Sequence, residues 1–270
     1  MIGTICALCR LGMMHPNRSV QWLRLGLAAA LFALAVAGQA EAVTVTWNLT
    51  GSDSLDGAEG NERSFPAAGG EVLWARAFTT TNTDGTGLFL PAYLGRYSGG
   101  LGVTSPGDGT GASPTNTVDN IGTRDLVVFK FSGAYIPTSV FLTQLGDTDF
   151  TAYVGGNSGL TFSSFAGLSY STLGANGFTQ YTCGNADLLW QSCIKDIVGG
   201  STDRLAGLNN LGLNLSGQWL IIGALKGDAT PEDQFLIKTL NGTAVPEPGT
   251  LLLLGVGLLA TGLWSRKRFF

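Results

Sequence analysis

The chain has 270 residues, 40 of them glycine, with 13% charged and 44% hydrophobic residues. Fifteen Lys+Arg against 19 Asp+Glu give a formal net charge of −4, and no basic block lies in the interior, so nucleic acid is not an expected partner. The mean hydropathy of +0.24 is high for a soluble chain, and the excess is concentrated at the two ends.

At the first end, Arg10, Arg18 and Arg24 precede an apolar run from Leu25 to Ala37, followed by Ala40-Glu41-Ala42. A basic region, a short apolar core and a small-x-small site define a secretory signal peptide, so residues 1–42 are expected to engage the Sec export machinery and signal peptidase. The apolar run rises only about 20 Å as a helix, short of the ~30 Å hydrocarbon core.

Residues 43–244 are read as one ectodomain of roughly 200 residues, enough for a well-buried core. Nine basic residues stand against 17 acidic ones here, a net of about −8, which repels anionic partners and favours cations. The hydrophobic period is two. Val43, Val45, Trp47 and Leu49 alternate with polar residues; Glu71–Thr80 carries Val72, Trp74 and Phe78 on one face, interrupted by Arg76; Asp125–Ser132 carries Val127, Phe129 and Phe131, with Lys130 opposite. Ser139–Leu145, Asp149–Val154, Trp219–Lys226 and Gln234–Leu240 complete the expected strands. Strands separated by Gly, Pro, Asn and Asp predict an all-β fold, an antiparallel β-sandwich of jelly-roll-like kind. Leu160–Thr179 is compatible with a strand, a loop or a short helix at Phe165–Leu173. The Gly/Ser/Pro/Thr-rich stretch Ser98–Thr123 is expected to be a long ordered loop across one end, the alternative being a linker between two subdomains.

The only histidine, His15, falls within the signal peptide. A mature chain without imidazole cannot assemble a Ser-His-Asp or Cys-His centre or a His-ligated zinc site. No catalytic residue is therefore assigned, and a non-enzymatic protein is expected. Cys183 and Cys193 predict a local disulfide in an oxidising compartment, worth roughly 2–3 kcal/mol in the chain-entropy model. Asp147 and Asp149, together with Asp119 and Asn120 at the close of the long loop, offer oxygen ligands of the kind Ca²⁺ takes, and calcium is the one cofactor considered. Against it, Asp and Asn are ordinary turn formers, as Asp53 and Asp56 also are. Paired carboxylates would also serve a glycoside-cleaving enzyme, the least favoured reading, because sequence spacing cannot show the separation required. Trp47, Trp74 and Trp219 fit strand patterns and are assigned to the core. Tyr93, Tyr97, Tyr153 and Trp190 lie near loops, where they would stack on sugar rings if the ectodomain were a carbohydrate-binding module.

The last segment, 245–270, has three parts: Pro246-Glu247-Pro248, an apolar run from Thr250 to Trp264, and the basic stop Arg266-Lys267-Arg268. The prolines hold the first part extended. The apolar run spans about 22 Å as a helix and predicts a single short transmembrane helix, with the basic cluster on the cytoplasmic side. In these residues the chain resembles the PEP-CTERM family of exported bacterial proteins. That resemblance implies recognition by an exosortase and cleavage near the Pro-Glu-Pro segment. It also implies a producer with an outer membrane and an exopolysaccharide locus. The precursor would be tethered in the inner membrane and its product delivered to the cell surface or extracellular matrix, in association with exopolysaccharide or biofilm. The stretches LGVTSPGDGTGASPTNTVDN and FLTQLGDTDFTAYVGG are similar to segments of a subset of these ectodomains. In that subset a histidine commonly precedes Val-Asp-Asn; here Pro114-Thr115-Asn116-Thr117 stands in its place.

Overall fold

Strand formation follows the two-residue alternation. In β1 (Thr44–Asn48) Val45 and Trp47 are buried while Thr44, Thr46 and Asn48 face solvent, and Val43 just before it is exposed. The computed structural model describes residues 43–53, 57–82, 86–106, 116–145, 150–183, 194–196, 203–208, 216–224, 233–245 and 257, with backbone alone at Gln144, 181–183 and 194–196. After β1 come β2 (Glu62–Pro66), β3 (Val72–Thr80), β4 (Phe89–Pro91), β5 (Tyr93–Tyr97), β6 (Gly100–Thr104) and β7 (Val118–Asp119). Then follow β8 (Asp125–Gln144), β9 (Phe150–Gly155), the short helices α1 (Phe162–Phe165) and α2 (Tyr170–Leu173), and a 3₁₀ turn at Gly174–Asn176. The chain closes with β10 (Phe178–Cys183), β11 (Ile194–Asp196), β12 (Asp203–Gly207), β13 (Gly217–Ala224) and β14 (Gln234–Ala244). Every pairing is antiparallel, and the fold is all-β.

β8 organises the whole. Its first half lies between β3 and β13, and its second half between β12 and β14. The partners change across Ser132–Ala134, so one strand serves two leaves. One leaf runs β2-β3-β8-β13-β9-β10; the other runs β11-β12-β8-β14, with β1, β6 and β7 along the far side of β14 and β5 beyond β6. The sequence pattern predicts two strands where β8 is one. Gly133 and Pro137 interrupt the alternation, but Pro137 faces Gly242 where the β8–β14 register shifts, a place that tolerates a residue without an N–H.

The main core draws on both leaves. Ala75, Val127, Phe129, Leu220 and Ala152 of the first leaf join Trp47, Val140, Leu142, Ile237 and Leu240 of the second in one buried cluster. This gives a sandwich-like packing of the expected kind. A second cluster lies on the outer face of the first leaf, where Phe78, Leu126, Val128, Trp219 and Ile221 are covered by Phe162, Phe165, Tyr170 and Leu173. The ambiguous stretch 160–179 is thus a helical cover followed by a strand. Each helix opens on a reciprocal Ser/Thr pair: the Thr161 N–H donates to Ser164 Oγ (3.1 Å) and the Ser169 N–H to Thr172 Oγ1 (3.0 Å).

The expectation of one long loop at Ser98–Thr123 is corrected at both ends, because β6 and β7 form there and both pair with β14. Glycine makes this possible. A Cβ on Gly102 would sit 1.8 Å from the Asn116 carbonyl oxygen, so only glycine admits the returning chain. By contacts, Ala42–Val245 form one compact unit. Among the described residues no helix is long and apolar enough to cross a membrane. The expected signal peptide lies outside the described residues, as does the expected transmembrane run apart from Gly257.

Candidate functional site

Of the four proposed calcium ligands, Asp119 and Asn120 are described and Asp147 and Asp149 are not. Asp119 pairs with Gln234, and the Leu145 N–H donates to the Gln234 carbonyl (3.0 Å), so β7 and the residue preceding 146–149 flank one position of β14. Asp119 is buried, and both its oxygens are engaged: Oδ2 accepts from Thr117 Oγ1 (2.6 Å) and Oδ1 from the Ile121 N–H (3.0 Å). Asn120 is engaged as well. Its Nδ2 donates to Asp233 Oδ2 (2.9 Å), and its Oδ1 accepts the Asp233 N–H (3.0 Å). This is a clasp fastening the end of the long connection to the start of β14. Among the described residues no group of three or more His, Cys, Asp or Glu side chains is placed to hold a metal. Asp53 likewise has a structural partner, an ion pair with Arg63 (2.5 Å) and the Arg96 N–H (3.0 Å).

The aromatic assignments change more. Trp47 and Trp219 are fully buried, as the strand pattern predicts. Tyr93, Tyr97 and Tyr153 are buried too, at 6%, 8% and 4% exposure, which removes them as a sugar-stacking face. Proximity to loops does not expose these rings: a Cβ on Gly57 would meet the Tyr93 ring at 2.3 Å, and the Tyr170 ring of α2 stacks on Tyr153 (5.7 Å between centroids). Burial raises the Tyr97 and Tyr153 hydroxyls to about 12 each, and the neighbouring Thr104 hydrogen bond partly offsets the rise at Tyr97. Trp190 lies outside the described residues.

Trp74 belongs to a different core than its strand neighbours: Leu73, Ala75 and Ala77 point into the main core, while Trp74 packs, partly buried, against the second cluster on the outer face. There it lines an open groove of about 340 Å³ with Glu62, Arg76, Lys130, Thr161, Phe162 and Ser163. Register explains the grouping. Ser64, Trp74, Lys130 and Trp219 form one row across β2, β3, β8 and β13, and Glu62, Arg76 and Val128 form the next row on the same face. The groove lies where the helical cover stops. The signal was present in the sequence: Arg76 interrupts an otherwise apolar face.

The Cys183 side chain and Cys193 fall outside what is described, as do Pro246, Glu247, Pro248 and the basic stop Arg266, Lys267, Arg268. Comparison with known families bears on that last segment. Residues 244–268 match the family described as the PEP-CTERM protein-sorting motif. Among curated proteins none matches the chain. The chain carries the PEP-CTERM sorting motif at the place where the sequence resemblance locates it, and that motif implies export through exosortase-type sorting.

Proposed function

We propose that this PEP-CTERM chain is a non-enzymatic protein of the cell surface or extracellular matrix. An exosortase processes it at Pro246-Glu247-Pro248, and its product is associated with the producer's exopolysaccharide. The observation that carries the reading is the sorting motif at 244–268, which spans the Pro-Glu-Pro element, the apolar run and the basic stop. The ectodomain reading agrees with it: an antiparallel sandwich of jelly-roll-like kind whose buried polar residues serve packing and clasps. Signal peptide removal at Ala42 and a disulfide between Cys183 and Cys193 belong to the same proposal, since both follow from export to an oxidising compartment.

Glu247 supplies a fixed charge on a backbone held extended by the prolines on either side. In a host with an exosortase, Glu247→Ala is expected to block processing while leaving export intact, so that precursor accumulates in the inner membrane. Fractionation showing normal processing of Glu247→Ala would contradict the assignment of that residue.

A further inference from the structure

We propose that the groove lined by Trp74, Arg76, Lys130 and Glu62 binds an acidic glycan, with a sugar carboxylate held between Arg76 and Lys130 and the sugar ring against Trp74. Three observations lead there.

The first is charge. The ectodomain has only nine basic residues against 17 acidic ones, yet two of the nine share this groove. Among the described residues neither forms an ion pair; Arg76 stands over the Phe78 ring (5.8 Å) and Lys130 over the Trp219 ring (5.4 Å). Arg63 and Lys238, by contrast, are paired with Asp53 and Asp203.

The second is spacing. Trp74 is directly opposite Lys130 on the neighbouring strand, and Arg76 is diagonal to Lys130, which places their Cα atoms roughly 7–8 Å apart on one face. The Arg76 guanidinium rests over Phe78 and the Lys130 ammonium over Trp219, so the two bracket the groove, and both side chains swing inward to share one carboxylate.

The third is the remainder of the lining. A half-buried indole offers a flat apolar surface, and Thr161, Ser163 and Glu62 offer hydroxyl and carboxylate partners for sugar hydroxyls. Glu62 and the net negative ectodomain disfavour a densely charged polyanion such as an acidic peptide. They suit a polymer whose carboxylates are spaced among hydroxyls. The groove is open, so a chain can lie along it.

The test uses the full-length chain in detergent micelles, unprocessed, so its result does not depend on the sorting assignment. Calorimetry with a hyaluronan oligosaccharide, which carries a carboxylate on every second sugar, with neutral cello-oligosaccharide and with a poly-glutamate peptide separates the ligand classes. The hyaluronan oligosaccharide alone is expected to bind, and more weakly as salt rises. Arg76→Gln and Lys130→Gln should each weaken binding about tenfold, the loss of one charge-assisted hydrogen bond. Glu62→Gln should tighten it, an effect that a misfolded variant cannot produce, and circular dichroism checks the fold of each. Absence of binding, equal binding of the neutral oligosaccharide, equal or tighter binding of the peptide, or unchanged affinity in the two cation variants would each overturn the proposal.

Discussion

Between residues 43 and 245 the described residues singled out by their type are engaged within the fold. Asp119 holds its own turn through Thr117 and Ile121, Asn120 fastens that turn to Asp233 at the start of β14, Asp53 holds Arg63, and three tyrosines near loops lie inside. Residues 245–270 carry their pattern as a linear string, Pro-Glu-Pro, apolar run and basic stop, which the sorting-motif match at 244–268 recognises from sequence alone. The contrast teaches where composition and spacing suffice. A linear signal is complete in the sequence, whereas an ectodomain surface exists only after strands distant in the chain have been set in register.

The contrast is sharpest where a substitution disturbs one region and spares the other. Trp47 is fully buried, packed against Phe131 (5.4 Å between ring centroids) and Tyr135 (5.3 Å) where the leaves meet. Trp47→Ala should cost about 3–5 kcal/mol of ectodomain stability while leaving the sorting motif itself unchanged. Trp47→Phe should cost much less, since the indole N–H is buried without a hydrogen-bond partner. Denaturant unfolding of the two variants checks the order.

A second break comes from pH. In the unfolded chain tyrosine ionises near 10, whereas burial holds Tyr153 and Tyr97 neutral up to about 12. Below pH 10 both states keep the proton and stability is unaffected. Between 10 and 12 the unfolded state releases protons that the folded state retains, so stability falls by about 1.4 kcal/mol per pH unit for each such tyrosine. Tyr153→Phe should remove one share of that slope. A denaturation midpoint flat from pH 10 to pH 12 would contradict the burial.

The clasp predicts the smallest effect. Asn120→Ala leaves the Asp233 carboxylate and N–H without their side-chain partners, and should cost about 1–3 kcal/mol. Hydrogen exchange should then rise at Val118–Asp119 and the start of β14 and stay unchanged in the β13–β9 ladder.

The all-β class and most long strands were legible in the sequence because half-buried strands alternate, as at Val45, Trp47 and Leu49. β2 and β6 were not. β2 buries only Phe65 fully, and β6 is rich in glycine, so neither shows a period. The stretch 160–179 stayed open between strand, loop and a short helix at Phe165–Leu173, because the Ser/Thr helix starts lack the acidic third residue that usually marks a helix N-terminus. The groove was half legible: Arg76 and Lys130 each stood out in their own strands. Their convergence beside Trp74 depends on β3–β8 register, which alternation within one strand does not reveal.

Intact-mass analysis of the exported product, from a host that has the exosortase, tests the sorting assignment most directly. The account predicts a product that begins after Ala42 and lacks Arg266, Lys267 and Arg268, having been cut near Pro246-Glu247-Pro248. A mature protein that still contains Arg266–Arg268 would contradict it, and the C-terminal segment would then be a permanent anchor.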